Sequence, residues 1–329
     1  MVRYLQTDVF ACDSKGPRLF DRCLRRSLIP LALSGLFMGL AIASKWIGLY
    51  SAVGLAVLFF VAIYRQYRVS NVACAMDLEH AKPDDADRTR IQTAQDFTLK
   101  RILITCGFCV VFFILVPCAI YYLCYIPYLS PTGAVSLKRI IDAQIGMLNY
   151  HSTPGLGMDH PFQSPWWQWP FILKPMWFAQ DKYEPAGYES TLMCLGNPWV
   201  FYLGAVAMAG VLVAFVVKYV RLRDSVSLRQ GDGDLTLAVL VVGFLAQYLP
   251  WVLVPRSMYI YHYFASVPFI IMATAWWLDR LPARSRRVAM AFYLTGALVF
   301  FVLFFPYASG WLTSTSWLDA MKWFSKLYY

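Results

Sequence analysis

Seven long apolar runs decide what this chain can become. They cover 29–43, 47–64, 102–125, 199–217, 235–254, 259–278 and 288–305. Lipid offers no water to an open backbone, so a run that enters it must satisfy its own peptide groups as a helix or join a closed barrel. These runs lack the strict alternation of barrel strands, and most reach the length of a spanning helix. With 59% hydrophobic residues, 15% charged residues and a mean hydropathy of +0.50, an all-α polytopic membrane protein with about seven transmembrane helices is the expected fold class.

The charge distribution orients those helices. The net charge is +10, but the cations sit mainly in short clusters at the ends of apolar runs. Arg18, Arg22, Arg25 and Arg26 precede the first run, and RQYR at 65–68 follows the second. Lys218, Arg221, Arg223 and Arg229 form one later cluster; Arg280, Arg284, Arg286 and Arg287 form another. All fall on one side of a seven-span path, which makes that side cytoplasmic and puts 127–196 outside. Topology and anionic headgroups account for the charge; no nucleic-acid motif accompanies it. MVRYLQ is too polar to open a signal peptide and reads as the tail of a membrane helix. Cys106 and Cys109 share a CxxC spacing, read inside an apolar run as two small packing residues rather than a redox or metal pair, and the eight cysteines imply no disulfide framework.

Three regions follow: 1–126, mostly transmembrane; 127–196, an outer loop; and 197–329, transmembrane helices with an aromatic tail. In the first region, Gly35 and Gly39 make a GxxxG suited to close helix contact, although that run is short for a full span. Lys45 and Trp46 sit at the outer tip of the first hairpin, where Lys45 either snorkels to water or holds an anionic headgroup. Residues 65–101 read as a partly helical cytoplasmic loop with His80 solvated, and Pro117 is placed to kink the third run. Tyr121, Tyr122, Tyr125 and Tyr128 mark the outer interface. In the tail, Trp317, Met321, Phe324 and Tyr328 follow helical spacing and predict an interfacial helix.

The outer loop gathers the unusual chemistry. Ser136 predicts an N-cap for a helix from 137 to about 150 that lies on the membrane, with His151 just past its end. Then come His160, Trp166, Trp167, Trp169 and Trp177, interleaved with Pro154, Pro161, Pro165, Pro170 and Pro175. So much proline excludes one regular helix, and unpaired backbone cannot enter lipid, so the segment is an ordered surface loop. Its tryptophans serve either as an aromatic belt or as faces for carbohydrate rings. Arg256 stands on the same outer side, against the charge trend, which favours a phosphate grip over a topology anchor. His262 fits either a site or a buried histidine bonded to a neighbouring helix.

Four collinear blocks carry a family resemblance: LIPLALSGLFMGLAIASKWIGLYSAVGLAVLFF, IGMLNYHSTPGLGMDHPFQSPWWQWPFILKPMWF, LGNPWVFYLG and YLPWVLVPRSMYIYHYFASVPF. In this order they resemble the C-terminal two-thirds of the bacterial dolichyl-phosphate-mannose–protein mannosyltransferases, most specifically through NYH…HP…SPWWQWP. The resemblance implies a GT-C glycosyltransferase fold and transfer of mannose from a polyprenyl-phosphate carrier to Ser or Thr of an acceptor protein, on the extracytoplasmic face of a bacterial plasma membrane. The family's acidic pair in its first outer loop has no counterpart here. The expectation is therefore either a fragment or one half of a split gene whose N-terminal half is encoded separately, inactive alone in both cases. No catalytic base is assigned, although Asp142 is placed to orient sugar or acceptor; as an acid near a helix start it equally fits a stabilising role. Lys45, Arg256 and Lys174 are the expected phosphate contacts, His151 and His160 the expected donors to phosphate or sugar, and Trp166, Trp167 and Trp169 the expected sugar or peptide path. His262 is included among the substrate-binding candidates. No cofactor and no metal are expected, and membrane lipids are the remaining partners.

Two other readings compete. A transporter or lipid-carrier translocase calls for internal repeats and broken helices at mid-membrane depth. No repeat is visible, and the polar residues gather at one face. A non-catalytic subunit that scaffolds a partner is the third reading.

Overall fold

The computed structural model describes residues 1–10, 19–80, 85–156, 160–182, 184–221 and 234–323, with the side chains of 69–95, 220–221 and 234 left out. Helices dominate: α1 (Val2–Leu5), α2 (Arg22–Ser44), α3 (Gly48–His80), α4 (Asp85–Val110), α5 (Val116–Leu129), α6 (Leu137–Ser152), α7 (Pro198–Val216), α8 (Asp234–Tyr248), α9 (Val267–Asp279), α10 (Ala283–Ser309) and α11 (Thr315–Ala320). Among the described residues, six helical segments are long and apolar enough to cross a membrane. The run at 259–278 is the exception. It divides into a 3-10 turn, Ile260–Ala265, and the 13-residue α9, which begins beside Pro268. At ~1.5 Å per residue α9 reaches only ~20 Å, against a hydrocarbon core of ~30 Å. The chain forms two compact units: 1–144 with 228–242, and 145–227 with 243–329.

In the first unit α2 is the central helix. It starts at Arg22, well before the apolar run, and its 23 residues make a full span where the run alone looked short. A Cβ on Gly35 would lie 2.3 Å from the carbonyl oxygen of Phe112, and one on Gly39 would lie 3.0 Å from Pro117 Cα. The GxxxG therefore forms a contact surface that only glycine permits. Phe112 belongs to a π turn, Val111–Leu115, between α4 and α5. Pro117 lies just beyond it at the start of α5, so the irregularity caused by the missing N–H falls in the preceding turn. The 65–101 region is more helical than expected, since α3 runs on to His80 and α4 starts at Asp85. The side chain of His80 lies outside the described residues. Cys106 and Cys109 pack beside the apolar cluster of Tyr4, Leu24, Leu28 and Phe59, and both are free thiols.

One buried ion pair in this unit was not foreseen. Arg101 is fully buried and donates to Asp21 Oδ2 at 2.7 Å and to the Val9 carbonyl at 2.8 Å. Asp21 in turn caps α2 by accepting from Leu24 N at 2.8 Å. Gln66 clasps the same N-terminal segment, accepting from Val9 N and donating to the Thr7 carbonyl. The opening residues are thus a docked helical turn, α1, with Tyr4 stacked on Phe59 at 5.7 Å.

In the second unit α7 packs on α9 and α10. Asn197 Nδ2 donates to the Ala297 carbonyl and Trp199 Nε1 to the Tyr293 carbonyl. The outer loop also contains strands that the sequence did not announce. β1 (Met176–Gln180) pairs antiparallel with β3 (Thr191–Cys194), and β2 (Tyr188–Glu189) pairs with β4 (Thr313–Ser314). The second pairing ties the tail to the loop. The tail helix α11 is shorter than its spacing suggested, with Met321 as its C-cap. Phe324 and Tyr328 lie outside the described residues, as do Arg18, Arg223 and Arg229.

Asp21→Asn keeps an oxygen that can cap Leu24 but removes the counter-ion of Arg101. Loss of one partner of a buried pair costs about 3–5 kcal/mol. Thermal unfolding of the detergent-solubilised chain is expected to show a lower midpoint, partly restored when Arg101→Met is added. An unchanged midpoint for Asp21→Asn would show that the pair does not hold α2, α4 and the N-terminal segment together.

Candidate functional site

The second unit contains an open groove of about 690 Å³, lined by Gln163, Ser164, Pro165, Gln168, Leu173, Lys174, Val254, Pro255, Arg256 and Met258. Its walls come from the Pro/Trp segment and from the turn after α8. Two backbone bonds pin that turn to the loop: Ser257 N donates to the Leu156 carbonyl at 3.2 Å, and Ser164 N donates to the Met258 carbonyl at 2.8 Å. Arg256 is held between these pins, half-buried, with no hydrogen-bond or ion-pair partner among the described residues.

The loop wall is rigid for identifiable reasons. Trp166–Phe171 is a 3-10 turn followed by Ile172 at φ 50°, a left-handed conformation unusual for a β-branched residue. Such a conformation costs about 1–3 kcal/mol and needs support around it. Ile172 is fully buried, and its N–H bonds to the Trp169 carbonyl at 3.1 Å. Trp169 is 1% exposed; its Nε1 reaches Ser164 Oγ at 3.0 Å and the Ser164 carbonyl at 3.2 Å. Tyr248 donates to the Trp166 carbonyl at 2.9 Å and Tyr202 to the Phe171 carbonyl at 3.1 Å. The bend at Ile172 is what turns Leu173 and Lys174 toward the groove.

The expected site residues separate accordingly. Arg256 and Lys174 come together in the groove. His151 lies in the last turn of α6 rather than beyond it. Desolvation first, and the Arg256 charge second, hold its imidazole below the ordinary range; Arg256 is therefore an electrostatic neighbour. His160 accepts from Phe162 N through Nδ1 at 3.2 Å and packs edge-on to Tyr259 at 5.1 Å. Of the tryptophans, Trp167 is 50% exposed and offers its face, Trp166 is half-buried against Tyr248, and Trp169 is a core residue among Trp251, Tyr248 and His262. His262 is 3% exposed, with Nδ1 at 3.2 Å from Tyr259 N and 2.9 Å from Tyr259 O. It therefore orders the turn from within, and neither it nor Trp169 opens onto the groove.

Lys45 and Asp142 belong to the first unit. Lys45 is the exposed C-cap of α2, and Asp142 is exposed on α6. Nearby, Trp46 Nε1 donates to Tyr121 OH at 2.7 Å, and Tyr121 donates to Gln144. This cluster anchors α6 to the hairpin tip. Ser136 caps α6 as expected, its Oγ accepting from Arg139 N at 3.3 Å. Sequence reasoning passed over Gln163, Ser164 and Gln168, which line the groove; their only signal was polarity within an aromatic block. Among the described residues, no group of three or more His, Cys, Asp or Glu is close enough to hold a metal ion.

A family profile described as the C-terminal four TMM region of protein-O-mannosyltransferase matches residues 136–327, more than half of the chain. The chain belongs to the protein O-mannosyltransferase family. A polyprenol-phosphate-mannose–protein mannosyltransferase of Mycolicibacterium smegmatis strain MKD8 is 25% identical, the match covering 92% of this chain and 58% of that protein. Its Mycobacterium tuberculosis H37Rv counterpart is 26% identical over 78% of this chain and 46% of that protein. The chain thus spans about half the length of these curated relatives. The solved structure of the S. cerevisiae protein O-mannosyltransferase Pmt1–Pmt2 complex bound to the sugar donor is 19% identical, covers 58% of this chain and 27% of that chain, and gives a TM-score of 0.46. With its membrane-crossing helices, this family member is a multi-pass membrane protein.

The His151 geometry has a direct test. A lowered pKa means that the ring stays neutral to lower pH than an ordinary histidine. Replacing Arg256 by Gln removes a repelling charge, so the His151 midpoint is expected to move up, as read by NMR titration of labelled histidine in micelles. An unmoved midpoint would place Arg256 away from the ring.

Proposed function

We propose that the groove between the Pro/Trp loop and the Arg256 turn binds the phosphate of a polyprenyl-phosphate-linked mannose. In this reading the chain takes part in transferring that mannose to Ser or Thr of an acceptor protein. The observation that carries it is the convergence of Arg256 and Lys174 on one open groove, in a chain whose relatives are named polyprenol-phosphate-mannose–protein mannosyltransferases. A phosphate leaving group gathers negative charge as the glycosidic bond breaks, and fixed cations stabilise that charge best where water is scarce. The guanidinium grips phosphate through two parallel bonds, while the lysine supplies a point charge. Gln163 and Gln168 add neutral donors and acceptors suited to sugar hydroxyls, and exposed Trp167 offers a ring face.

His151 and His160 are proposed as donors to phosphate or sugar. The proposed roles of Lys45, as a further contact to the carrier, and of Asp142, in orienting sugar or acceptor, rest on the sequence. No described residue is assigned as the base for the acceptor hydroxyl. The transporter reading has no comparable support among the relatives. The proposed setting is a bacterial plasma membrane with a cytoplasmic N-terminus, the groove opening on the outer face.

Arg256→Gln is expected to weaken binding of a polyprenyl phosphate by roughly ten- to a hundredfold, since a charge-assisted hydrogen bond contributes about 1.5–3 kcal/mol. Arg256→Lys should recover part of this loss, because it restores the charge without the fork. Tryptophan-fluorescence titration with the carrier lipid reads both. Equal affinity in the wild type and both variants, with folding intact, would remove the groove from phosphate binding.

Orientation is checked separately. In a background without native cysteines, Ser152→Cys and Ser285→Cys are expected to react with a membrane-impermeant maleimide from opposite sides. Labelling of both from one side would refute the topology.

A further inference from the structure

The strand β1 leaves the groove wall directly, beginning two residues after Lys174. Its partner β3 is covered: Thr191, Met193 and Cys194 are buried, and β3 packs on α10. β1 itself opens outward along its length, from half-buried Met176 and Trp177 to exposed Phe178, Ala179 and Gln180. Beyond the ladder with β3, no backbone–backbone hydrogen bond is made by Phe178, Ala179 or Gln180 among the described residues. The ladder is bulged between Trp177 and Ala179, and this leaves Phe178, an apolar side chain 49% exposed, standing beside the edge. The far end is firm, because Asp181 N bonds to the Ser190 carbonyl and Gln180 Nε2 donates to Glu189.

An edge strand with open N–H and C=O groups is a template for an extended peptide. We propose that β1 is the docking edge for the acceptor polypeptide, which adds to it as a further strand in an extended Ser/Thr-bearing segment. This rests on the reading of the adjoining groove as the donor site. At ~3.3 Å per residue, a strand laid along β1 brings its end within ~7 Å of the level of Lys174. A hydroxyl at that end would face the groove, while Phe178 packs against an apolar side chain of the peptide. Backbone pairing explains how one site accepts different protein sequences: the ladder reads extension, and the groove needs only a hydroxyl.

A series of short, fluorescently labelled threonine peptides, each carrying one backbone N-methyl group, tests this on the full chain in detergent by fluorescence anisotropy. Strand addition uses every second N–H of the incoming peptide. Methylation is therefore expected to weaken binding about five- to tenfold at alternate positions and to leave the others unchanged, the effect of one hydrogen bond lost from a ladder. A series with no alternation, or an unmodified peptide that does not bind, overturns strand addition. Carrier-phosphate binding measured on the same preparation separates the two ideas. If the carrier binds but the series does not alternate, the strand proposal falls and the groove reading stands. If the series alternates but the carrier does not bind, strand addition stands and the donor reading falls.

Discussion

A peptide group in hydrocarbon has no water to bond, and most of this structure answers that constraint. Each apolar run becomes a helix or, where a helix fails, a turn whose backbone closes on itself. Pro117 removes a donor from the longest span; the π turn at Val111–Leu115 shifts the bonding pattern ahead of it and lets the helix continue. Among the described residues, much of the irregular backbone between 160 and 194 is paired as well, the outer edge of β1 excepted. It is bonded to the 254–259 turn, closed on itself in the 3-10 turn, or built into the β1–β3 ladder. The groove is the concavity left where two such self-satisfying segments meet.

The same constraint sets what the sequence could reveal. Spans, the Ser136 cap and the glycine contact at Gly35 and Gly39 are local or periodic, so they could be read from the chain. The pairing of Asp21 with Arg101 joins residues 80 positions apart, and that of Glu189 with Thr313 joins the outer loop to the tail. Neither leaves a local pattern. Trp167 and Trp169 show a subtler limit. They are alike in type and two residues apart, yet one faces out and one is core, because a 3-10 turn and a left-handed Ile172 decide which way each ring points. Arg256 could be singled out for a simpler reason: a cation on the wrong side of the charge pattern stands out.

Trp169 and His262 belong to the support of the candidate site. Their rings lie 6.0 Å apart and nearly parallel, with Trp251 against both. Trp169 fixes Ser164 through its Nε1, and Ser164 N holds Met258, which places Arg256. A side chain as long as arginine loses rotamer freedom on gripping a ligand, and a turn fixed at both ends reduces the backbone part of that loss.

The surroundings of Arg256 set the strength of any anion bound there. Val254, Pro255 and Met258 line the groove with it and present an apolar collar. Such a collar excludes water and strengthens the attraction between guanidinium and phosphate, but the same exclusion raises the cost of stripping water from both charges. Arg256 lies between these limits. It is half-buried, and no described carboxylate pairs with it before a ligand arrives. Arg101 shows the opposite arrangement, fully buried and paired with Asp21, its charge consumed within the fold. The contrast between a neutralised arginine that holds helices together and an available one at a groove is the physical ground for assigning structure to the first and proposing ligand binding for the second.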